Sequence, residues 1–216
     1  GKTWDYVPPN QLAHAFTDVA MDVVVRDGVA WVVGFSIGKH DNPFAPRGRG
    51  IVLRLDVETA AVLGPATIAA PSGLWTQSMF LGASAHPGGV LVTGNACDDD
   101  CIMQRVETSA YTALGARFWF RPENSSAVAY GSAVALGAHH TVVVAATMRE
   151  GTVLQGALLG RSDINNVAEI FNFALPPSKE PSEVLGAAVG PYDRIYGGGY
   201  RTFGGMSEAW AGLLHP

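Results

Sequence analysis

Short runs of alternating apolar and polar residues, separated by turn residues, recur along the whole chain. Residues 78–106 show the pattern most clearly: a short apolar run, a Pro-Gly-Gly turn at 87–89, a β-branched run at 90–95, a tight Cys-Asp-Asp-Asp-Cys segment and another alternating run. Alternation with a period of two places successive side chains on opposite faces of a strand. The stretch therefore predicts three consecutive strands of an antiparallel sheet.

The same order of strands and turns occurs four times along the chain. Alignment of the second strands places Trp31, Leu91, Val142 and Ile195 at equivalent positions, with spacings of 60, 51 and 53 residues. A period of about 50 residues with four short strands in each is typical of a β-propeller. The predicted fold is an all-β propeller of four repeats of four antiparallel strands. The repeats lie at approximately 18–73, 77–124, 126–180 and 182–216.

The fourth repeat lacks a fourth strand, and the N-terminal segment supplies a candidate. Residues 4–9 alternate aromatic side chains and end in proline, as do the predicted outer strands at 118–122 and 171–177. Residues 1–9 are therefore expected to complete the last blade. Closure within one chain is favoured because a ring leaves no unpaired strand edge. Pairing between two chains would close an eight-bladed ring instead, and a third alternative is a longer propeller of which this chain is a part.

The repeats carry motifs that give the chain a family resemblance. The first repeat has Asp-Gly at 27–28, Trp-Val-Val-Gly at 31–34 and Leu-Arg-Leu-Asp at 53–56, and the second has Val-Thr-Gly-Asn at 92–95; the other two fit loosely. With these motifs the chain resembles the delta-60 and related propeller repeats of bacterial, often myxobacterial, secreted proteins. The resemblance implies a secreted or cell-surface repeat protein. Because the motifs are structural, it implies no particular chemistry.

Composition and charge exclude several classes of protein. Of the 216 residues 48% are apolar and 15% are charged, which indicates a folded chain with a sizeable core. A formal net charge of −5 with scattered basic residues argues against a nucleic-acid partner. No run approaches the roughly 20 apolar residues of a membrane helix, so no membrane-spanning segment is expected. No motif implies a cofactor.

Cys97 and Cys101 are the two cysteines of the chain, and they flank a tight turn. Redox motifs use two intervening residues and structural zinc needs four ligands, so a disulfide that clamps a hairpin tip is favoured over a metal or redox pair. A disulfide favours an extracellular, periplasmic or cell-surface location. Asp98 and Asp100, beside Asn95, could bind Ca²⁺ through oxygen ligands, but the EF-hand pattern is absent and a solvated tip is the favoured interpretation.

Ligand-binding candidates lie on the predicted loops. His40 and Asp41 follow the second strand, Arg47 and Arg49 form the tightest basic pair, and Trp75 is the best candidate for an exposed aromatic residue. Loops held by a rigid scaffold commonly carry binding residues, so these five form the predicted site for an unknown protein or glycan.

The favoured function is a non-enzymatic, extracellular binding or scaffold module that could form a homo-oligomer. The chain has no nucleophile elbow and no zinc-protease motif. A propeller-type glycan hydrolase or lyase with its site at the axial mouth is the alternative, because acid–base groups can converge from distant blades. A third hypothesis is a subunit of a larger strand-paired assembly.

Overall fold

The computed structural model describes residues 15–38, 47–69, 74–122, 128–138, 141–163, 166–174 and 180–214. These residues form fifteen strands and a short 3₁₀ turn at Pro191–Asp193. The strands pair in four small antiparallel sheets, so the prediction of an all-β fold is confirmed. No helix in the described ranges is long and apolar enough to cross a membrane.

Each sheet is built from strands that are consecutive in the chain. Sheet 1 contains β1 (Ala15–Arg26), β2 (Val29–Gly38), β3 (Arg47–Asp56) and β4 (Thr67–Ile68). Sheet 2 contains β5 (Gln77–His86), β6 (Gly89–Cys97), β7 (Gln104–Thr112) and β8 (Arg117–Pro122). Sheet 3 contains β9 (Ala129–Leu136), β10 (Val142–Glu150), β11 (Val153–Asp163) and β12 (Asn166–Ala174). Sheet 4 contains β13 (Ser182–Val189), β14 (Ile195–Phe203) and β15 (Met206–Leu214).

Most of the predicted strands are present, and the stretch 78–106 indeed spans β5, β6 and the start of β7. The fourth strand expected in the first repeat is short: only β4 and a single bridge between Leu55 and Val62 form there. Gly64, with a φ of +101°, and Pro65, which has no N–H to donate, interrupt the pairing. The strand predicted at 1–9 lies outside the described residues.

A β-bulge occurs at the same place in the first strand of every sheet. It lies between Ala20 and Asp22, Phe80 and Gly82, Gly131 and Ala133, and Val184 and Gly186. Just before the bulge, the paired residue of the second strand is Gly34, Gly94, Ala146 or Gly199. A Cβ on Gly94 would lie 1.8 Å from the carbonyl oxygen of Met79, which explains the glycine that ends the repeated motif.

The bulges correct the alignment of the repeats. They make Val143 and Tyr196 the equivalents of Trp31 and Leu91, one residue later than the positions proposed from sequence, Val142 and Ile195. In the third repeat the alignment from sequence was one residue off because alanine replaces the glycine that ends the motif. In the fourth repeat three consecutive glycines at 197–199 offer no unique marker.

Consecutive sheets pack face to face in a series, with the first strand of each sheet against the preceding sheet. We call the face toward the next sheet the forward face, and the opposite one the backward face. Three apolar layers fill the spaces between sheets 1 and 2, 2 and 3, and 3 and 4. Representative buried residues of these layers are Trp31, Phe80 and Tyr111 in the first, Leu91, Val106 and Val144 in the second, and Leu158, Val184 and Ile195 in the third. Burial of these side chains is the main stabilising term of the stack.

Candidate functional site

The connection between β6 and β7, residues 97–104, forms a compact hairpin end that we call the disulfide tip. The predicted disulfide between Cys97 and Cys101 is confirmed. Asp98 Oδ1 accepts the backbone N–H groups of Ile102 (2.8 Å) and Met103 (3.3 Å), and the Asp98 carbonyl accepts the N–H of Cys101 (3.1 Å). An aspartate that satisfies backbone donors of its own turn fixes the turn conformation. The Asp98 N–H also donates to the Met103 carbonyl oxygen (3.3 Å), so the tip is held by a covalent bond and by four local hydrogen bonds.

The acidic residues of the tip have different roles in the structure. Asp98 directs one carboxylate oxygen into the turn, whereas Asp99 and Asp100 are exposed. Within the described ranges no group of three or more His, Cys, Asp or Glu side chains is arranged to hold a metal ion. Metal binding by Asp98 and Asp100 stays a prediction.

Gln77, the first residue of β5, braces the tip from the neighbouring strand. Its Nε2 donates to the carbonyl oxygens of Asp99 (3.0 Å) and Asp98 (3.4 Å), and its Oε1 accepts the N–H of Gly48 (3.1 Å) in sheet 1. Thr76 N–H also donates to the carbonyl oxygen of Cys97 (2.9 Å). These bonds join the tip to sheet 1. No sequence signal marks Gln77, because the contact depends on pairing between distant strands.

Trp75 lies beside the tip and is half-buried. The guanidinium of Arg105 is 4.7 Å from the centre of its ring, a cation–π contact. Arg105 Nη2 is in turn 4.0 Å from Glu107 Oε2, which is fully buried. Burial lowers the pKa of Arg105, and the charge of Glu107 opposes that shift. Trp75 is therefore not a free aromatic platform, since one side of its ring is engaged by Arg105.

Apolar side chains project from the tip and from the segment beside it. Leu74 is 86% exposed, Ile102 66% and Met103 40%. The Thr76–Cys97 hydrogen bond and the Trp75–Arg105 contact hold these two segments side by side. Exposed aliphatic side chains grouped on a rigid turn, next to exposed carboxylates, form a surface suited to contact with another macromolecule.

The other predicted ligand residues have different positions. His40 and Asp41 lie outside the described residues, and Arg47 begins β3. Arg49 is 8% exposed, and burial lowers its pKa, so it is part of the sheet rather than an open basic site. The start of β3 nevertheless adjoins the tip through the bond from Gly48 to Gln77.

A second polar cluster, which no sequence motif indicates, joins sheets 3 and 4. The hydroxyls of Tyr130 and Tyr200 donate to Glu183 Oε2 (2.7 Å) and Oε1 (2.5 Å). Burial, followed by the bond to Glu183, raises the pKa of Tyr130, whereas the bond to Glu183 is the main cause of the raised pKa of Tyr200. Both carboxylate oxygens are thus engaged by phenols, an arrangement that ties the two sheets together.

The chain is thus an all-β protein of four stacked antiparallel sheets with a disulfide-clamped tip. No family model matches it, and no curated protein matches it. Solved structures similar to it include the sucrose-6-phosphate hydrolase from Lactobacillus gasseri. That match has a TM-score of 0.49 and 9% sequence identity, and it covers 84% of this chain and 41% of the hydrolase. The chain therefore spans less than half of the length of that protein.

Replacing both Cys97 and Cys101 with alanine should lower the free energy of unfolding by about 2 kcal/mol, because so short a loop removes little entropy from the unfolded chain. Urea titrations of the oxidised wild type and the variant measure the difference. A loss above about 5 kcal/mol would contradict a local role, since it exceeds what closing one loop supplies.

Proposed function

We propose that the four sheets are blades of a β-propeller and that the chain is a non-enzymatic, extracellular binding module. The disulfide tip and Leu74 form its contact surface, and the ligand is a protein or peptide with apolar and basic side chains. The observation that carries the proposal is the combination of a rigid tip and exposed aliphatic side chains at Leu74, Ile102 and Met103. A preorganised surface loses little entropy on binding, which favours affinity.

A protein ligand is favoured over a glycan by the chemistry of the tip. Sugar rings stack on open aromatic faces, but Arg105 occupies one side of the Trp75 ring. Aliphatic side chains and methionine instead match the apolar centre of a protein interface. Asp99 and Asp100, both exposed, would steer a basic partner toward the apolar residues.

The extracellular location is supported by the disulfide. Such bonds form and persist in oxidising compartments and are rare in the cytosol. The alternative function is a glycan hydrolase or lyase, and a hydrolase of the common kind requires a pair of carboxyl groups on either side of a sugar. Glu183, the carboxylate that joins sheets 3 and 4, has both oxygens occupied by tyrosine hydroxyls, which favours a structural role for it.

Selection from a phage-displayed library of random peptides on the immobilised wild-type chain tests the proposal. We expect the enriched peptides to be rich in apolar and basic residues and to lose at least tenfold in affinity for the Ile102→Asp variant, because a charge placed in the apolar contact must be desolvated on binding. Leu114→Asp is the matched control, since Leu114 is 85% exposed on the turn at the other end of β7.

Three outcomes would contradict this function. Peptides that bind the Ile102→Asp variant as well as the wild type would place the binding surface elsewhere. Equal losses in the Ile102→Asp and Leu114→Asp variants would show a general effect of added charge. If the chain bound glycans on an array, and if only Trp75→Ala abolished that binding, the ligand would be a sugar and not a protein.

A further inference from the structure

The forward face of sheet 4 differs from the forward faces of the three other sheets in its exposure. In sheet 3 the forward residues Val143 and Leu158 are 0% and 1% exposed, because sheet 4 covers them. The aligned bulges make Tyr196 the equivalent of Val143, and in sheet 4 Tyr196 pairs with Leu213. Tyr196 is 39% exposed and Leu213 is 41% exposed. Tyr196 thus occupies a position that is buried in each of the other sheets, and Leu213 occupies one that is buried in sheets 2 and 3.

The part of this face formed by β15 carries small residues beside Leu213, whereas Tyr200 of β14 and Glu183 of β13 add a hydrogen-bonded polar pair to the same face. Ala209 and Ala211 of β15 are exposed and point forward with Leu213. A Cβ on Gly82, the first residue after the bulge of sheet 2, would lie 2.7 Å from the Ser132 carbonyl oxygen of sheet 3. A Cβ on Gly186, its equivalent in sheet 4, would meet no described atom within 4 Å. A solvated sheet face usually carries polar side chains, so the alanines of β15 and the open space at Gly186 indicate that this part of the face is covered by another sheet.

The first-strand row of the matching half is exposed at the other end of the stack, whereas Ala30, Leu53 and Leu55 of the neighbouring strands on that face are buried in a cluster of their own. Val23 and Val25 lie on the backward face of β1 and are 55% and 61% exposed. Their equivalents after the bulge in the next two sheets include Ala83 and Val134, which are 9% and 5% exposed because each packs against the preceding sheet. In sheets 2, 3 and 4 this row of first-strand residues contacts the preceding sheet. In sheet 1 the same row is exposed.

We propose that the forward face of sheet 4, centred on Tyr196 and Leu213, binds the backward face of β1 in a second copy of the chain. The occupant is a second copy because one chain carries both halves of the contact, in the register of its three internal sheet-to-sheet interfaces. Such a contact is heterologous, and two of them related by a twofold axis close a ring of two chains. This contact between copies does not involve the disulfide tip and does not depend on the ligand proposed for it.

Light scattering during size-exclusion chromatography gives the first test. The wild type is expected at twice the chain mass of 22.7 kDa. The variant with Tyr196→Glu and Leu213→Glu is expected at the mass of one chain, with an unchanged circular dichroism spectrum. Leu114→Glu, an equally drastic change at a residue that is 85% exposed in sheet 2, should stay dimeric. A monomeric wild type, or a double variant that remains dimeric, would overturn the proposal.

Cross-linking shows which faces meet. The two native cysteines are joined in a disulfide, so introduced cysteines carry the only reactive thiols. A Val25→Cys copy mixed with a Leu213→Cys copy should be linked by a bismaleimide that spans about 10 Å, the distance between stacked sheets. Each single variant alone should give no linked dimer. A chain with both substitutions that is linked only within itself would show closure inside one chain, and would overturn the second copy as the occupant.

Discussion

Gly94→Ala should lower the free energy of unfolding by about 3 kcal/mol or more, a cost typical of overpacking a rigid interior. The added Cβ would lie 1.8 Å from the carbonyl oxygen of Met79 and 2.9 Å from the Cα of Phe80. Relief requires the backbone of β5 to move, but the Phe80 ring is fully buried and packs edge to face on Tyr111, with centroids 6.0 Å apart. Moving the strand would therefore disturb the layer between sheets 1 and 2.

Sheet 3 carries an alanine at the position equivalent to Gly94. There the equivalent position is Ala146, and its partner at the bulge is Gly131 rather than a phenylalanine. Gly48→Ala in β3 is the matched control, because its Cβ would meet nothing nearer than 3.6 Å; a change within about 1 kcal/mol is expected there. Urea titrations of the three proteins measure both effects. A Gly94→Ala variant as stable as the wild type would show that β5 can shift, and would contradict the claim that the bulge requires glycine at position 94.

Much of the fold could be predicted from the sequence because each strand is encoded locally. Alternation and turn residues at positions such as Asp27 and Gly28 identify hairpins without knowledge of the rest of the chain. The register of the third and fourth repeats could not be predicted, because it depends on the position of a bulge. In the first two repeats a glycine marks that position, but the third repeat has Ala146 there and the fourth has three consecutive glycines. The register is set by hydrogen bonds between strands, which no local pattern reports.

The candidate site was predicted in part. The spacing of Cys97 and Cys101 predicted a disulfide across a hairpin tip, because two cysteines that flank a tight turn are held close together whatever the fold. The environments of Trp75 and Gln77 could not be predicted, because Arg105 and Gly48 reach them from other strands. Arg49 was expected as a ligand residue on a loop, yet it is buried in a strand. The alternation in the sequence could not show that this strand begins before Arg49.

Glu107 is a buried carboxylate close to Arg105, the residue that contacts Trp75. It lies on β7, on the same face as Tyr111 and toward sheet 1, and its side chain is fully buried. Neither oxygen accepts a hydrogen bond from the described residues. Arg105 Nη2 and Arg117 Nη1 lie 4.0 and 3.9 Å away. Burial raises the pKa of Glu107 from 4.5 to about 7, and the two arginines oppose the shift. Desolvation therefore outweighs the ion pairs, as is common for buried charges without hydrogen bonds.

The raised pKa predicts that the stability of the folded chain depends on pH through Glu107. The carboxyl is neutral in the fold up to about pH 7 but ionises near 4.5 when the chain unfolds, so the folded state loses stability as the pH rises between these values. At 1.36 kcal/mol for each pKa unit the loss is about 3 kcal/mol by pH 8. Relative to Glu107→Gln, the wild type should therefore become less stable by that amount between pH 4.5 and pH 8 in urea titrations. Glu208→Gln, which alters a half-exposed carboxylate of β15, should follow the wild-type profile. Parallel profiles for the wild type and Glu107→Gln would show that Arg105 and Arg117 keep Glu107 ionised throughout, and that their attraction outweighs its desolvation.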